Sequence, residues 1–193
     1  MATVDIVNYA LARAACPRIV SLAESTEIAA FASATYLNIF KEVMKKGPWS
    51  SLVKRAAALT ATTTPVFEYS YAYTLPTDFI RLLQVNEGDP LRYDYKIEGL
   101  SGTQVLLIQE SVVNIVYIAN LTDTTKWDSD LTEAVVTRLA AEFAANSGNL
   151  QLRQILMGEY RLAVMEGLAA NNAQSGGKQL YTQHMASIRE SDQ

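Results

Sequence analysis

The acidic side chains Glu87, Asp89, Asp94 and Glu98 crowd one short stretch of the chain. Two carboxylates at a defined separation are enough for glycoside hydrolysis, one as proton donor and the other as nucleophile or base. These four, however, surround the turn-forming Gly88-Asp89-Pro90, where acids ordinarily keep a loop end soluble, and no neighbouring feature would raise a carboxyl pKa. The other chemically capable residues are few. Cys16 is the single cysteine and His184 the single histidine. One thiol forms no internal disulfide, and one His with one Cys makes no metal site. Nucleophilic catalysis would have to be built on His184, far along the chain from Cys16 and among polar residues. Cys16, followed by Pro17, reads as a buried, inert thiol at the end of a helix. Gly99-Leu100-Ser101-Gly102 is a turn that lacks the lysine of a phosphate-cradling loop. The pairs Lys45-Lys46 and Lys54-Arg55 bracket Trp49, as a nucleic-acid surface would. Helix capping and a solvated strand face account for them more simply. We therefore expect no catalytic, cofactor-binding or metal residues, and no enzyme activity.

With 193 residues, 49% hydrophobic and 19% charged, the chain has the composition of one folded domain. A net charge of −4 argues against a strong nonspecific grip on duplex nucleic acid. Met1-Ala2-Thr3-Val4-Asp5 lacks the positive start and apolar run of a signal peptide. No apolar stretch approaches the roughly 20 residues that span a bilayer. Synthesis in the cytoplasm, with no membrane partner, is the expectation.

Helical spacing marks both ends of the chain. The first helix is expected over about 3–16, with Thr3 as N-cap, Asp5 in its first turn, and Pro17 ending it. A second, about 26–46, places Ile28, Ala32, Tyr36, Ile39 and Val43 on one stripe. Lys45 and Lys46 suit its negative end, Gly47 a left-handed cap, and Pro48 forbids continuation. A third, about 129–146, opens at Asp128 to Asp130, with Glu133 reaching back in a capping box and Leu131, Val135, Leu139 and Phe143 as its stripe. Asn146-Ser147-Gly148-Asn149 breaks it. A fourth, about 150–171, carries Leu152, Ile155, Leu156, Tyr160, Ala163 and Gly167.

Between them the period changes to two. Phe67, Tyr69, Tyr71 and Tyr73 alternate with Glu68, Ser70, Ala72 and Thr74, the pattern of a strand with one covered face. These aromatics read as sheet packing rather than as a stacking platform for bases. Ile80 to Val85, Tyr93 to Ile97, Val105 to Ile108 and Val112 to Ile118 read as further strands of an antiparallel meander over about 49–120. Pro76 fixes a corner between two of them, and Asp78 is placed to close it through its side chain. This Pro76/Asp78 corner is expected to be architectural, aiming the β insertion. The fold class is thus α+β, mainly α: a helical bundle with an inserted antiparallel β-sheet or hairpin region and an extended C-terminal tail. Residues 1–172 read as a single domain and 173–193 as the tail. Asn171 to Gly177 reads as a linker, after which Leu180, Tyr181, His184, Met185 and Ile188 stand among polar residues. So sparse an apolar set cannot offset its own ordering entropy, which makes a partner the expected support.

An ordered series of short pieces runs through the chain. It begins with Asn8-Tyr9-Ala10-Leu11, Ile19 to Glu24, Gly47-Pro48-Trp49 and Lys54-Arg55-Ala56. Tyr73-Thr74-Leu75-Pro76-Thr77-Asp78-Phe79-Ile80-Arg81 follows, then Ile97-Glu98-Gly99 and Val116-Tyr117-Ile118. Thr122-Asp123 with Trp127, Leu139-Ala140-Ala141-Glu142 and Glu159-Tyr160-Arg161 complete it. In this order the pieces resemble the phage head-to-tail adaptor (connector) family, which includes the tail tubular protein A of short-tailed phages. The resemblance covers about residues 6–170 and brings no catalytic motif. It implies a structural virion protein of the neck, assembled in the host cytoplasm. Such a subunit forms a ring, a dodecamer, that joins the portal protein to the tail nozzle and extends the DNA channel. Genomic DNA would pass through without specific binding. By the same resemblance the tail, with Leu180, Tyr181, His184, Met185 and Ile188, would reach the portal. The rival readings are a peptidoglycan hydrolase acting through the hairpin carboxylates and a small cytosolic binding module.

Overall fold

Side chains that satisfy free backbone amides set the helix starts. Asp128 accepts from the Leu131 N–H at 2.7 Å, Thr26 from Ala29 at 3.3 Å and Asn149 from Leu152 at 3.1 Å. The computed structural model describes residues 2–62, 64–87, 93–100 and 102–174. Among them it is α+β and mainly α, with helices α1 (Thr3–Arg13), α2 (Glu27–Met44), α3 (Ser129–Asn146) and α4 (Leu150–Gln174). Contacts divide the described chain into a helical unit, residues 2–52 with 120–174, and a β unit, Val53–Ala119. The span read as one domain, 1–172, takes in the β unit and all of the helical unit but the end of α4, which runs to Gln174 into the stretch read as tail.

In the helical unit, α3 packs against α1, α2 and α4. Its stripe Leu131, Val135, Leu139 and Phe143 is wholly buried. Several ends differ from expectation. The N-cap of α1 is Ala2, and Asp5 accepts from the Ala2 N–H at 2.9 Å, so Thr3 is already helical. The helix stops at Arg13, before Pro17 acts. Ala15 turns left-handed (φ 54°), with Cys16 N–H on the Leu11 carbonyl and Ala15 N–H on Ala12. Cys16 is consequently only half-buried. Gly47 is not a left-handed cap: Lys45 ends α2 in right-handed geometry. Its smallness answers a close approach, since a Cβ there would lie 2.2 Å from Leu168 Cδ2. Glu133 lies past the first turn and pairs with Arg13, leaving Asp128 alone to cap α3. Asn171 belongs to α4 and not to a linker. Its amide donates to Gly167 O at 2.7 Å, and its oxygen accepts from Ser50 N–H at 2.7 Å.

The β unit is not a meander. Strands β1 (Val53–Ala56), β6 (Ile115–Ala119) and β3 (Phe79–Val85) form one antiparallel sheet in that order. Strands β2 (Tyr71–Thr74), β5 (Thr103–Ile108) and β4 (Tyr95–Leu100) form the other. Only β4–β5 is a local hairpin. The reason is burial: every residue of β6 is buried, so it takes the central place between two strands distant in sequence. Tyr73, Leu75, Leu82, Val85, Leu106, Ile108, Ile115 and Tyr117 merge the two sheets into one core. The aromatic alternation gives a strand only from Tyr71. Phe67 is 78% exposed while Ala72 is buried, because left-handed Glu68 (φ 73°) breaks the period.

Candidate functional site

The corner after β2 joins the two sheets of the β unit. Leu75 leaves β2 buried, its N–H bonded to Gln104 O at 3.2 Å. Pro76 accepts from the Phe79 N–H at 2.9 Å, which closes the turn and starts β3. Asp78 does not spend its side chain mainly on that turn. Its Oδ2 accepts from Lys54 Nζ of β1 at 2.6 Å, and its Oδ1 from the Tyr117 hydroxyl of β6 at 2.9 Å. One carboxylate therefore ties the turn to the other two strands of its sheet. Phe79 stacks on the Tyr117 ring with centroids 5.9 Å apart. Burial works against the charge of Asp78, but the bonds from Lys54 and Tyr117 outweigh it and hold the carboxyl below its usual range. Burial first, then the Asp78 bond and charge, push the Tyr117 phenol up to about 12. A second tie closes the far end of that sheet. Asn114 gives its N–H to Asn86 Oδ1 at 2.8 Å and accepts from Ala58 N–H at 2.8 Å. Short polar residues at the ends of apolar runs were the available signal for it.

The helical unit has its own polar centre, which sequence reasoning missed. Arg13, at the end of α1, donates to Glu133 and Thr137 of α3 and to Glu159 of α4, the last two at 2.9 and 2.6 Å. Three helices meet on one guanidinium. It borders an open groove of about 450 Å³ lined also by Asp130, Leu162 and Glu166. Four acids surround one arginine there. Arg138 likewise links Glu42 of α2 with Glu142 of α3. The spacing of Glu133 and Thr137, one turn apart on a stripe edge, was the sequence signal.

Of the carboxylates weighed for hydrolysis, Glu98 is paired with Lys96 at 2.7 Å, and Asp89 lies outside the described residues. Among the described residues no group of His, Cys, Asp and Glu could hold a metal ion. Trp49 is fully buried and donates from Nε1 to Val43 O at 3.1 Å, so it offers no surface to a base. Pro76 and Asp78 come together at one corner. Leu180, Tyr181, His184, Met185 and Ile188 lie outside the described residues. No helix among the described residues is long and apolar enough to cross a membrane. No family model matches the chain, and no curated protein matches it either.

Proposed function

We propose that this chain is a structural virion protein, a head-to-tail adaptor of the kind found in short-tailed phages. It forms a ring, a dodecamer, between the portal protein and the tail nozzle, and extends the channel through which the genome leaves. The observation that carries this reading is what the resembling motifs do inside each unit. Trp49 fills the space over Gly167, Asp78 ties its sheet, and Trp127 Nε1 holds Leu121 O at 2.8 Å. Every one of these is an architectural role. A signature of architecture without chemistry fits a protein that works by surface complementarity, with many weak contacts multiplied around a ring. The net charge of −4 suits a wall that DNA slides past without gripping its phosphates. On this reading the C-terminal tail, 173–193, contacts the portal, and no enzymatic step is needed.

The test is direct. Purified chain is mixed with portal particles of a short-tailed phage and imaged by electron microscopy. A new collar under the portal, of twelvefold symmetry, is the expected result. Portals that remain bare at saturating protein contradict the proposal.

A further inference from the structure

Helix α4 carries two apolar faces, and among the described residues only one of them is covered. Leu156, Tyr160, Gly167 and Asn171 are buried in the unit. Ile155, Gly158, Leu162, Met165 and Ala169 are exposed, at alternating spacings of three and four. This is the seam pattern of helix-on-helix packing, about 21 Å long at 1.5 Å per residue. The exposure is large: 55% at Ile155, 58% at Leu162 and 68% at Met165. A row of this kind marks a surface meant for a partner.

Charge says which partner. One border of the seam is the groove of Asp130, Glu133, Glu159 and Glu166, with Arg13 as its single cation. On α4 itself the opposite border carries Arg161. Two copies laid antiparallel along this seam would set acid against acid and Arg161 against Arg161. Two laid parallel would set one arginine against four acids. The exposed face of α2 matches better. There Leu37, 44% exposed, is followed one turn on by Lys41, with Lys45 and Lys46 beyond it, while Glu42 is engaged by Arg138. Small, exposed Ala30 and Ala34 precede Leu37 on the same face and permit a close helix approach.

We propose that the α4 seam of one copy docks on the α2 face of a second copy, Leu162 and Met165 against Leu37, and the Glu166 side of the groove against Lys41. Because two different patches meet, the contact is head-to-tail and repeats instead of stopping at a dimer, and it builds a ring where the rotation between copies closes. The inference rests on the ring reading above and names the surfaces that build the ring.

The experiment uses the full chain, alone at high concentration and with portal, followed by sedimentation velocity. Glu166→Lys and Lys41→Glu, each checked for unchanged circular dichroism, should each weaken self-association about tenfold by placing like charges together. The double variant Glu166→Lys/Lys41→Glu should regain it. In a Cys16→Ser background, Leu37→Cys and Met165→Cys chains should form disulfides when mixed but not singly. Association indifferent to both charge changes overturns the inference, as does a dimer cross-linked through Met165→Cys alone. Rings on the portal that ignore the charge changes leave the adaptor reading standing without these surfaces. Head-to-tail oligomers that never bind portal do the reverse, and a chain that associates nowhere removes both.

Discussion

A Cβ added to Gly167 would sit 2.7 Å from Cζ3 of Trp49, which fixes residue 167 as glycine and brings α4 down onto the chain just after α2. The two residues belong to the same unit but are separated in sequence by the whole β insertion. Their contact is one of the places where the helical unit closes on itself.

Gly167→Ala should destabilise the helical unit by about 1–3 kcal/mol, because the indole is locked by its bond to Val43 O and has little room to move. Trp49→Ala should cost about 3–5 kcal/mol by opening a cavity in a fully buried site. Thermal unfolding followed by calorimetry checks both values. A Gly167→Ala melting temperature equal to wild type would show that the approach is looser than described.

Asp78→Ala removes the acceptor shared by Lys54 and Tyr117. Lys54 is half-exposed, so the loss should be modest, about 1 kcal/mol. The folded-state carboxyl lies below its usual value, so its contribution is present above the ordinary carboxylate range and disappears as pH falls through the folded pKa. The gap in melting temperature between wild type and Asp78→Ala should therefore close on acidification. If the adaptor reading holds, tail attachment to filled heads should suffer more than stability, since the error repeats in every subunit. A variant that unfolds outright, or one that attaches tails normally, contradicts this.

Tyr117 behaves oppositely. Its phenol is raised from 10.0 to about 12, so its contribution is complete below pH 10 and is lost as pH climbs toward 12. Tyr117→Phe has no proton to lose and should show a smaller fall in stability across that window. Tyr160 in the helical unit is also raised to about 12, chiefly by burial, and keeps part of the alkaline transition in the variant. Equal alkaline losses in wild type and Tyr117→Phe would count against the Asp78–Tyr117 bond.

Deleting residues 178–193 should leave the far-ultraviolet circular dichroism of the rest unchanged. Portal binding should be abolished. A truncated chain that assembles on portals as wild type does would remove the portal-anchoring role of Leu180, Tyr181, His184, Met185 and Ile188.

The helices were legible in the sequence because their signals are local. Thr26 and Asp128 cap the helices they precede, and the buried stripes of α2 and α3 follow the 3.6-residue period. The sheets were not legible, because pairing joins distant strands. Nothing in Val53–Ala56 announces that it lies beside Ile115–Ala119. The corner at Pro76 and Asp78 could be placed from turn chemistry, but the carboxylate partners, Lys54 and Tyr117, come from strands far away in sequence. Ala15 shows the limit at a helix end, adopting a left-handed conformation that sequence statistics reserve for glycine. On α4, Ile155 belongs to an exposed stripe with Leu162 and Met165, apart from the buried Leu156 and Tyr160, and residue types alone do not separate the two.

Catalysis should be absent from this chain. Asp94→Asn with Glu98→Gln should alter no cell-wall lysis, and the wild-type protein should clear no zone on a peptidoglycan zymogram. Clearing by wild type that the double variant loses would favour the hydrolase reading.

Native mass spectrometry of the full chain, with and without portal protein, bears most directly on the adaptor reading. Portal is expected to capture the chain as a closed ring matching its own symmetry, twelve copies on twelve. A chain that stays at its monomer mass of 21.2 kDa in the presence of portal would contradict it.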